Sequence, residues 1–236
     1  MKILEVEQGS AEWHAERRCS ITGTKMDSVM GTPSAQASLI AELIAEEGTE
    51  QTKEFRPTAA MERGTAEEIF AIKEYSVRTQ QKVERVGMLV HDDFPWLKLS
   101  PDGLIKVGRK YRGAVESKCP DSKQAILYRI QNMIDPEETG LLGKSGNLLA
   151  SAPFLGIPAD YKWQVVLYFV MIDDLEWLDF LVYDARFIDV EEKLYVVRVN
   201  REYPEMQEAI AEAHETLLAF RSKWEAWKEV VLPVNF

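Results

Sequence analysis

The chain is organised around residues 100–120, which read Ser100-Pro-Asp-Gly-Leu-Ile-Lys-Val-Gly-Arg-Lys-Tyr-Arg-Gly-Ala-Val-Glu-Ser-Lys-Cys-Pro120. The pattern predicts three short strands, at 97–100, 104–107 and 111–118, joined by a Pro-Asp-Gly turn and a Gly-Arg-Lys turn. Side chains alternate between the two faces of a strand, so Glu116 and Lys118 are expected on one face of the third strand.

These residues suggest a chemical interpretation. Asp102 and Glu116 can bind a divalent cation through hard oxygen ligands, with the Ser117 carbonyl as a third ligand. Lys118 lies beside them, where it could orient or deprotonate a water that attacks phosphorus, which is metal-assisted phosphodiester hydrolysis. Spacing alone also allows a simpler explanation, because Asp-Gly is a common turn pair and Glu-x-Lys is a common solvated salt-bridge pattern.

Four ordered motifs resemble one known family. Ser-Pro-Asp-Gly-Leu followed by Glu-Ser-Lys-Cys-Pro is similar to the phage lambda-type recombination exonucleases, the YqaJ family of the PD-(D/E)XK or restriction-endonuclease-like superfamily. The other matching stretches are Glu7-Gln8-Gly9 to Ile21-Thr22-Gly23-Thr24, Gly64-x-x-x-Glu68-x-x-Ala71-x-x-x-Tyr75 and Tyr161-Lys162-Trp163-Gln164. The resemblance covers residues from about 5 to about 185.

The resemblance implies an α/β fold with a restriction-endonuclease-like core, in which helices flank a central mixed β-sheet and the site lies at one edge. We expect a single nuclease domain over 1–236, with a core over roughly 5–200 and a C-terminal helix over 202–229. Helices are also predicted at 10–18, from Thr22 or Thr24 to Gly31, and at 38–47, 58–75, 122–134 and 160–171. Further strands are predicted at 83–90, 177–183 and 193–200, and a linker at 32–34.

The activity implied by the resemblance is a Mg²⁺-dependent 5′→3′ exonuclease, in which Mn²⁺ can substitute for Mg²⁺. It would degrade one strand of linear double-stranded DNA to 5′-mononucleotides and leave 3′ single-stranded tails for recombination. The resemblance also implies a homotrimeric ring and a single-strand annealing recombinase as partner. The alternatives on the same fold are a structure-specific or restriction-like endonuclease and a catalytically silent DNA-binding protein.

Three catalytic residues are expected from the resemblance: Lys118, with Glu68 and Gln164 helping it prepare the attacking water. Without the resemblance, Glu68 and Gln164 would be ordinary residues on solvated helix surfaces. Asp102, Glu116 and the carbonyl of Ser117 are the metal ligands in the same scheme.

Three further residues are expected to bind the DNA 5′-phosphate: Arg17, Thr24 and Ser100. Trp13 and Arg17 are four residues apart on a predicted helix and share a face, which taken alone favours a packed tryptophan beside a solvated arginine over a phosphate site. Thr24 could instead cap a helix. The family also has a basic residue near the start of the helix at 122–134, where this chain has Lys123 and Gln124, and which of the two contacts DNA stays open.

One segment departs from the family pattern. The connection over 135–159 is longer by roughly twenty residues, and it is too long for an ordinary connector. It could be a flap over the DNA, a subunit contact or a plain surface insertion.

Composition limits the classes of protein that fit. The 46% of hydrophobic residues provide material for a sizeable core. The net charge of −11 predicts overall repulsion from DNA phosphates, so we expect segregated charges, with acidic residues in the site and on the outer surface and basic residues lining only a channel. No run of 18 apolar residues is present, so no membrane partner is expected. The N-terminus lacks the apolar core of a signal peptide, which indicates a cytoplasmic protein, in a bacterial host if the gene is of phage or prophage origin. Two cysteines, Cys19 and Cys119, are too few for a four-cysteine iron–sulfur cluster.

Overall fold

The computed structural model describes residues 1–51, 58–134 and 153–232, and these residues form two β-sheets. The strand order of the main sheet is β2 (Val83–Glu84), β5 (Gly103–Val107), β6 (Lys110–Lys118), β7 (Trp177–Tyr183), β8 (Leu194–Asn200). This sheet is mixed, because β6 and β7 are parallel and its other neighbouring strands are antiparallel. The smaller sheet is antiparallel, with the order β1 (Lys2–Leu4), β3 (Met88–Val90), β4 (Lys98–Leu99).

Helices surround the main sheet. They are α1 (Ala11–Arg17), α2 (Met26–Val29), α3 (Pro33–Thr49), α4 (Ala59–Thr79), α5 (Ser122–Met133), α6 (Lys162–Met171) and α7 (Pro204–Val231). Short 3₁₀ turns lie at Gly23–Lys25, Ala159–Tyr161 and Glu191–Lys193. This is the α/β class, with a central mixed sheet and flanking helices, that the sequence predicts.

The two faces of the main sheet belong to two different cores. Leu104, Ala114 and Phe180 point to the larger core, which contains α6 and the buried face of α7. Their neighbours along each strand point the other way and pack against Ala71 and Tyr75 of α4; they are Ile105, Val115 and Leu181. The alternation of side chains along each strand therefore produces a helix–sheet–helix sandwich.

Helix α6 lies inside the larger core. Seven consecutive residues, Val165 to Met171, are buried, so other elements cover this part of the helix on all sides. Helix α7 covers it and buries Leu217, Phe220 and Trp224. The polar residues of α6 that line the site are therefore held on a rigid element.

The site lies on the central strand of the main sheet. Strand β6 is the third of five, with β5 on one side and β7 on the other. The sequence places the site at one edge of the sheet, whereas the structure puts Glu116 and Lys118 near the end of this central strand. The pairing on both sides fixes the direction of their side chains.

The predicted strand at 83–90 is wrong, because it is two strands in different sheets. Val83–Glu84 pairs with β5 in the main sheet, and Met88–Val90 pairs with β1 in the smaller one. The break lies at Gly87, where a Cβ atom would be 2.2 Å from the carbonyl oxygen of Leu4. A residue with a side chain cannot approach the backbone so closely, and the continuous β-pattern hides this point. Strand β4 pairs with β3 in the smaller sheet, so it does not continue into a meander with β5 and β6.

Two helix starts also differ from the prediction. The expected linker at 32–34 is the start of α3: the hydroxyl of Thr32 accepts a hydrogen bond from the Ala35 amide, and Pro33 occupies the first turn. Neither Thr22 nor Thr24 caps the next helix with its side chain, since Gly23–Lys25 is a 3₁₀ turn and Thr22 makes no capping hydrogen bond. The helix predicted at 58–75 continues to Thr79.

Other predicted elements lie close to their observed bounds. Ser10 caps α1 by accepting a hydrogen bond from the Trp13 amide, and strand β7 has the bounds predicted for it. The predicted C-terminal helix at 202–229 is found over Pro204–Val231. Most of the predicted insertion, 135–152, lies outside the described residues. In the part of the chain that the structure covers, no helix combines the length and the apolarity that a membrane crossing requires.

Candidate active site

A polar cleft of about 730 Å³ lies between α4, the end of β6 and α6. Six residues are predicted to act in catalysis or to bind metal through a side chain or the backbone, and all six line this cleft. Three of them lie on β6, and the others come from the turn before β5, from α6 and from α4. They are Glu116, Ser117 and Lys118, then Asp102, Gln164 and Glu68. Residues far apart in the sequence therefore meet in one place.

The turn before β5 and the end of β6 are joined through Asp102. One carboxylate oxygen of Asp102 accepts a hydrogen bond from the Ser117 amide, at 2.7 Å. On the neighbouring residues of β6, the Lys118 ammonium donates to Glu116 at 2.6 Å. The strand alternation predicted for Glu116 and Lys118 thus gives a direct ion pair, of which the Glu116 side chain is 1% exposed.

Gln164 connects the lysine and the glutamate from α6. Its carbonyl oxygen accepts from Lys118 Nζ at 3.2 Å, and its amide nitrogen donates to Glu116 Oε1 at 2.6 Å. The side-chain amide therefore fixes the relative positions of the two charged groups.

Tyr168 is a site residue that the sequence analysis missed. Its hydroxyl donates to Glu116 Oε2 at 2.5 Å and accepts from the Asp102 amide at 3.3 Å. Tyr168 follows Gln164 by four residues on α6, so both side chains leave the same face of the helix. That spacing was the available signal, but an apolar helix hides a buried tyrosine among its core residues.

Three of the carboxylates that line this cleft, those of Glu68, Asp102 and Glu116, affect one another through their charges. Burial raises the pKa of Asp102 well above its usual range, and the negative charges of Glu116 and Glu68 raise it further. Burial would lower the pKa of Lys118, but the charges of Glu116 and Asp102 outweigh that effect and raise it. The neighbouring carboxylates therefore favour the protonated form of the lysine.

Glu68 is held differently from the other two carboxylates. Its Oε1 accepts from Arg85 Nη2 at 3.1 Å, across the border of the cleft. Burial raises the pKa of Glu68, and the charge of Arg85 acts in the opposite direction.

The donor set fits a hard divalent cation. Across residues 1–51, 58–134 and 153–232, no three His, Cys, Asp or Glu side chains are grouped as a metal centre, so the candidate ligands are two carboxylates and one backbone carbonyl. Carboxylate and carbonyl oxygens are the ligands of Mg²⁺, which keeps several waters as further ligands. Burial is the main cause of the raised pKa of Asp102, and the negative charges of Glu116 and Glu68 add to it; a bound cation would oppose both effects by favouring the ionised carboxylate.

A second cluster surrounds the Arg17 guanidinium. Its Nη2 donates to Thr22 Oγ1 at 3.2 Å and to Thr24 Oγ1 at 3.3 Å. Within the described part of the chain it makes no ion pair, and burial lowers the pKa of Arg17 to about 10. A partly buried guanidinium whose partners are neutral hydroxyls is suited to an anionic ligand.

Trp13 links this arginine to Ser100. The Arg17 guanidinium lies 4.2 Å from the centre of the indole ring, and the indole N–H donates to Ser100 Oγ at 2.8 Å. Sequence spacing predicts the shared face of Trp13 and Arg17, but not the contact with Ser100, which comes from a segment 87 residues away.

The two clusters adjoin. Thr24 lines the cleft that contains Asp102, and a Cβ atom on Gly23 would lie only 3.0 Å from Gln164 Cγ. The turn that carries Thr24 therefore packs directly against Gln164. Of the two residues left open at the start of α5, Gln124 lines the cleft and Lys123 is exposed.

Residues 12–171 match a family described as the YqaJ-like viral recombinase domain, which is more than half of the chain. The chain belongs to this family. All nine predicted site residues fall inside the matched range. No curated protein has a significant match to the sequence.

Solved exonuclease structures are also similar to this chain. The chain is similar to LHK-Exo in complex with dAMP, with 25% sequence identity and a TM-score of 0.68 over 96% of this chain and 100% of the other. An alkaline exonuclease structure (LHK-Exo) from Laribacter hongkongensis gives 24% identity and the same score and coverage. A phage-related exonuclease from Haemophilus somnus 129PT shares the fold at 14% identity and a TM-score of 0.51, covering 86% of this chain and 96% of the other. This YqaJ-family chain therefore has the single-domain fold of exonuclease structures.

Proposed function

We propose that the protein is a Mg²⁺-dependent 5′→3′ exonuclease, for which Mn²⁺ can substitute, and that it degrades one strand of linear double-stranded DNA. The products would be 5′-mononucleotides and 3′ single-stranded tails for recombination. The observation that carries the proposal is the meeting of Asp102, Glu116, Lys118 and Gln164 in one cleft, directly beside the Arg17 cluster. Family membership and the exonuclease structures support it.

Asp102, Glu116 and the Ser117 carbonyl would hold the cation. When bound, Mg²⁺ would lower the pKa of a coordinated water and stabilise charge on the phosphoryl oxygens. The charges of Glu116 and Asp102 raise the pKa of Lys118, which favours a protonated lysine that would orient the attacking water and stabilise negative charge. Gln164 holds Lys118 and Glu116 in register, and Glu68 adds a third carboxylate to the cleft.

Arg17, Thr24 and Ser100 would bind the terminal 5′-phosphate. The planar guanidinium can donate two parallel hydrogen bonds to phosphate oxygens, and the hydroxyls of Thr24 and Ser100 can add more. A terminal phosphate bound here lies next to the cleft with Asp102, which favours cleavage of the first linkage from the 5′ end. That arrangement is the physical basis of the proposed direction and product.

We also propose that the protein forms a homotrimeric ring in the bacterial cytoplasm and acts with a single-strand annealing recombinase. The net charge of −11 gives little long-range attraction to DNA, so a closed ring would keep the enzyme on its substrate. The family resemblance supports three subunits and this partner.

A digestion assay tests the activity. Linear duplexes labelled at either end and covalently closed circles are incubated with Mg²⁺, with Mn²⁺ and with EDTA, and the products are separated by size. The proposal predicts labelled mononucleotides from the 5′-labelled end, intact circles and no reaction in EDTA. Cutting of the circles would indicate an endonuclease, and no cutting of either substrate would indicate a silent DNA-binding protein.

A further inference from the structure

Glu68 and Arg85 form an ion pair at the border of the cleft. Glu68, on α4, lines the cleft together with Asp102 and Glu116. Arg85 lines a separate cavity of about 280 Å³, together with Gln8. The 3.1 Å contact between Arg85 Nη2 and Glu68 Oε1 therefore joins the cleft to this second cavity.

The two side chains differ in exposure. The Glu68 side chain is 18% exposed and the Arg85 side chain is 52% exposed, so the guanidinium approaches the carboxylate from the solvent side. Arg85 lies between β2 and β3, where the close contact of Gly87 with Leu4 fixes the backbone. The fold of the two sheets thus places the backbone of Arg85 within reach of Glu68.

A cation in the cleft and the Arg85 guanidinium would attract the Glu68 carboxylate from different sides. A divalent ion held by Asp102 and Glu116 would attract the Glu68 carboxylate, which lines the same cleft, and would repel the guanidinium. The hydrogen bond from Arg85 occupies part of the accepting capacity of Glu68 Oε1 and orients the carboxylate towards the guanidinium. Two positive groups therefore compete for one carboxylate.

We propose that Arg85 is a positioning residue that holds Glu68 away from the cation site and so lowers the affinity of the cleft for a divalent ion. This inference rests on the proposed function, since it requires a cation at Asp102 and Glu116. It adds a residue outside the cleft that sets the metal concentration at which Glu68 can serve the reaction.

Direct Mn²⁺ binding tests the proposal without measuring cleavage. The metal-free protein is titrated with Mn²⁺, and the free ion is followed by electron paramagnetic resonance. A partly exposed ion pair of this kind predicts that Arg85→Gln binds Mn²⁺ about two- to fivefold more tightly than wild type. Lys82→Gln is the matched control. Lys82 lies three residues before Arg85, carries the same charge, and has a side chain that is 88% exposed. In a Glu68→Gln background, Arg85→Gln should change the affinity no more than the control does.

The outcomes separate the two proposals. If the wild type binds no Mn²⁺, or if Asp102→Ala binds it equally well, the proposed metal site is wrong. If binding depends on Asp102 but Arg85→Gln matches Lys82→Gln, the metal site stands and the role of Arg85 is overturned. An increase in affinity that persists in the Glu68→Gln background would also overturn it, because the effect would then not act through Glu68.

Discussion

Replacing Tyr168 by phenylalanine should weaken both the fold and the active site. The change removes one hydroxyl and leaves two buried groups without their partner: Oε2 of Glu116 and the amide of Asp102. A hydrogen bond to a charged group contributes about 1.5 to 3 kcal/mol to stability, and the longer bond to the amide contributes less. We therefore expect the free energy of unfolding to fall by about 2 to 3 kcal/mol, most of it from the bond to Glu116.

In a chain of 236 residues, this loss corresponds to a melting temperature lower by roughly 4 to 12 °C, which differential scanning calorimetry can measure. Activity should fall as well, because groups that orient metal ligands typically change metal affinity or activity by about 10- to 100-fold. The Mg²⁺ concentration needed for half-maximal cleavage should rise.

Tyr203→Phe is the control for Tyr168→Phe. It also removes a hydrogen-bonded hydroxyl, which here accepts from Asn200 Nδ2 at 2.8 Å. That bond lies at the start of α7 and outside the cleft. The reasoning is wrong if Tyr168→Phe and Tyr203→Phe melt at the same temperature and need the same Mg²⁺ concentration. A lower melting temperature with unchanged Mg²⁺ dependence would show that Tyr168 stabilises the fold but does not affect the metal site.

Four further predictions concern the same site and its assembly. Lys118→Ala and Asp102→Ala should each lower cleavage by orders of magnitude with the fold intact, but only Asp102→Ala should weaken Mn²⁺ binding; near-normal turnover by Lys118→Ala would refute its role. Arg17→Ala should remove most of the preference for 5′-phosphorylated over 5′-hydroxyl ends, measured as a ratio of initial rates, and an unchanged ratio would make Arg17 a structural residue. Asp102→Asn should stabilise the metal-free protein at pH 8, because the raised pKa of Asp102 means that its ionised form is disfavoured in the folded state. This stabilisation should shrink as the pH falls towards 4, where Asp102 is protonated in the wild type. Equal melting temperatures of variant and wild type at pH 8 would contradict the prediction. Light scattering should give a mass near three times 27.0 kDa, and a monomer that digests long duplexes without dissociating would refute the ring.

The sequence predicts most of the main sheet and the central charged pair. Strand alternation alone places Glu116 beside Lys118, and the cap at Ser10 marks the start of α1. These features depend on neighbours within a few residues, so local patterns determine them. The expected position of Gln164 came from the family resemblance, and the structure brings it within 3.2 Å of Lys118.

Features that depend on distant contacts were not predictable. The break at Gly87 depends on the approach of Leu4 from a strand more than 80 residues earlier, and the bond from Trp13 to Ser100 joins segments equally far apart. Tyr168 was missed because a helix of apolar residues shows no polar face. The pairing of Glu68 with Arg85 was also hidden, since no spacing rule relates a residue on α4 to one between β2 and β3.

The acidity of the chain and its proposed action on DNA are compatible because the charges are paired differently in different places. Many basic side chains outside the cleft are neutralised, as in the ion pairs of Lys110 with Asp174 and of Arg112 with Glu176. Arg17, in contrast, has only hydroxyl partners among the described residues, and it is held in place by an indole ring. The negative charge of the cleft is the part that a divalent cation would neutralise on binding. The attraction to DNA would therefore be short-ranged and confined to the 5′ end of the DNA strand, which is where an exonuclease requires it.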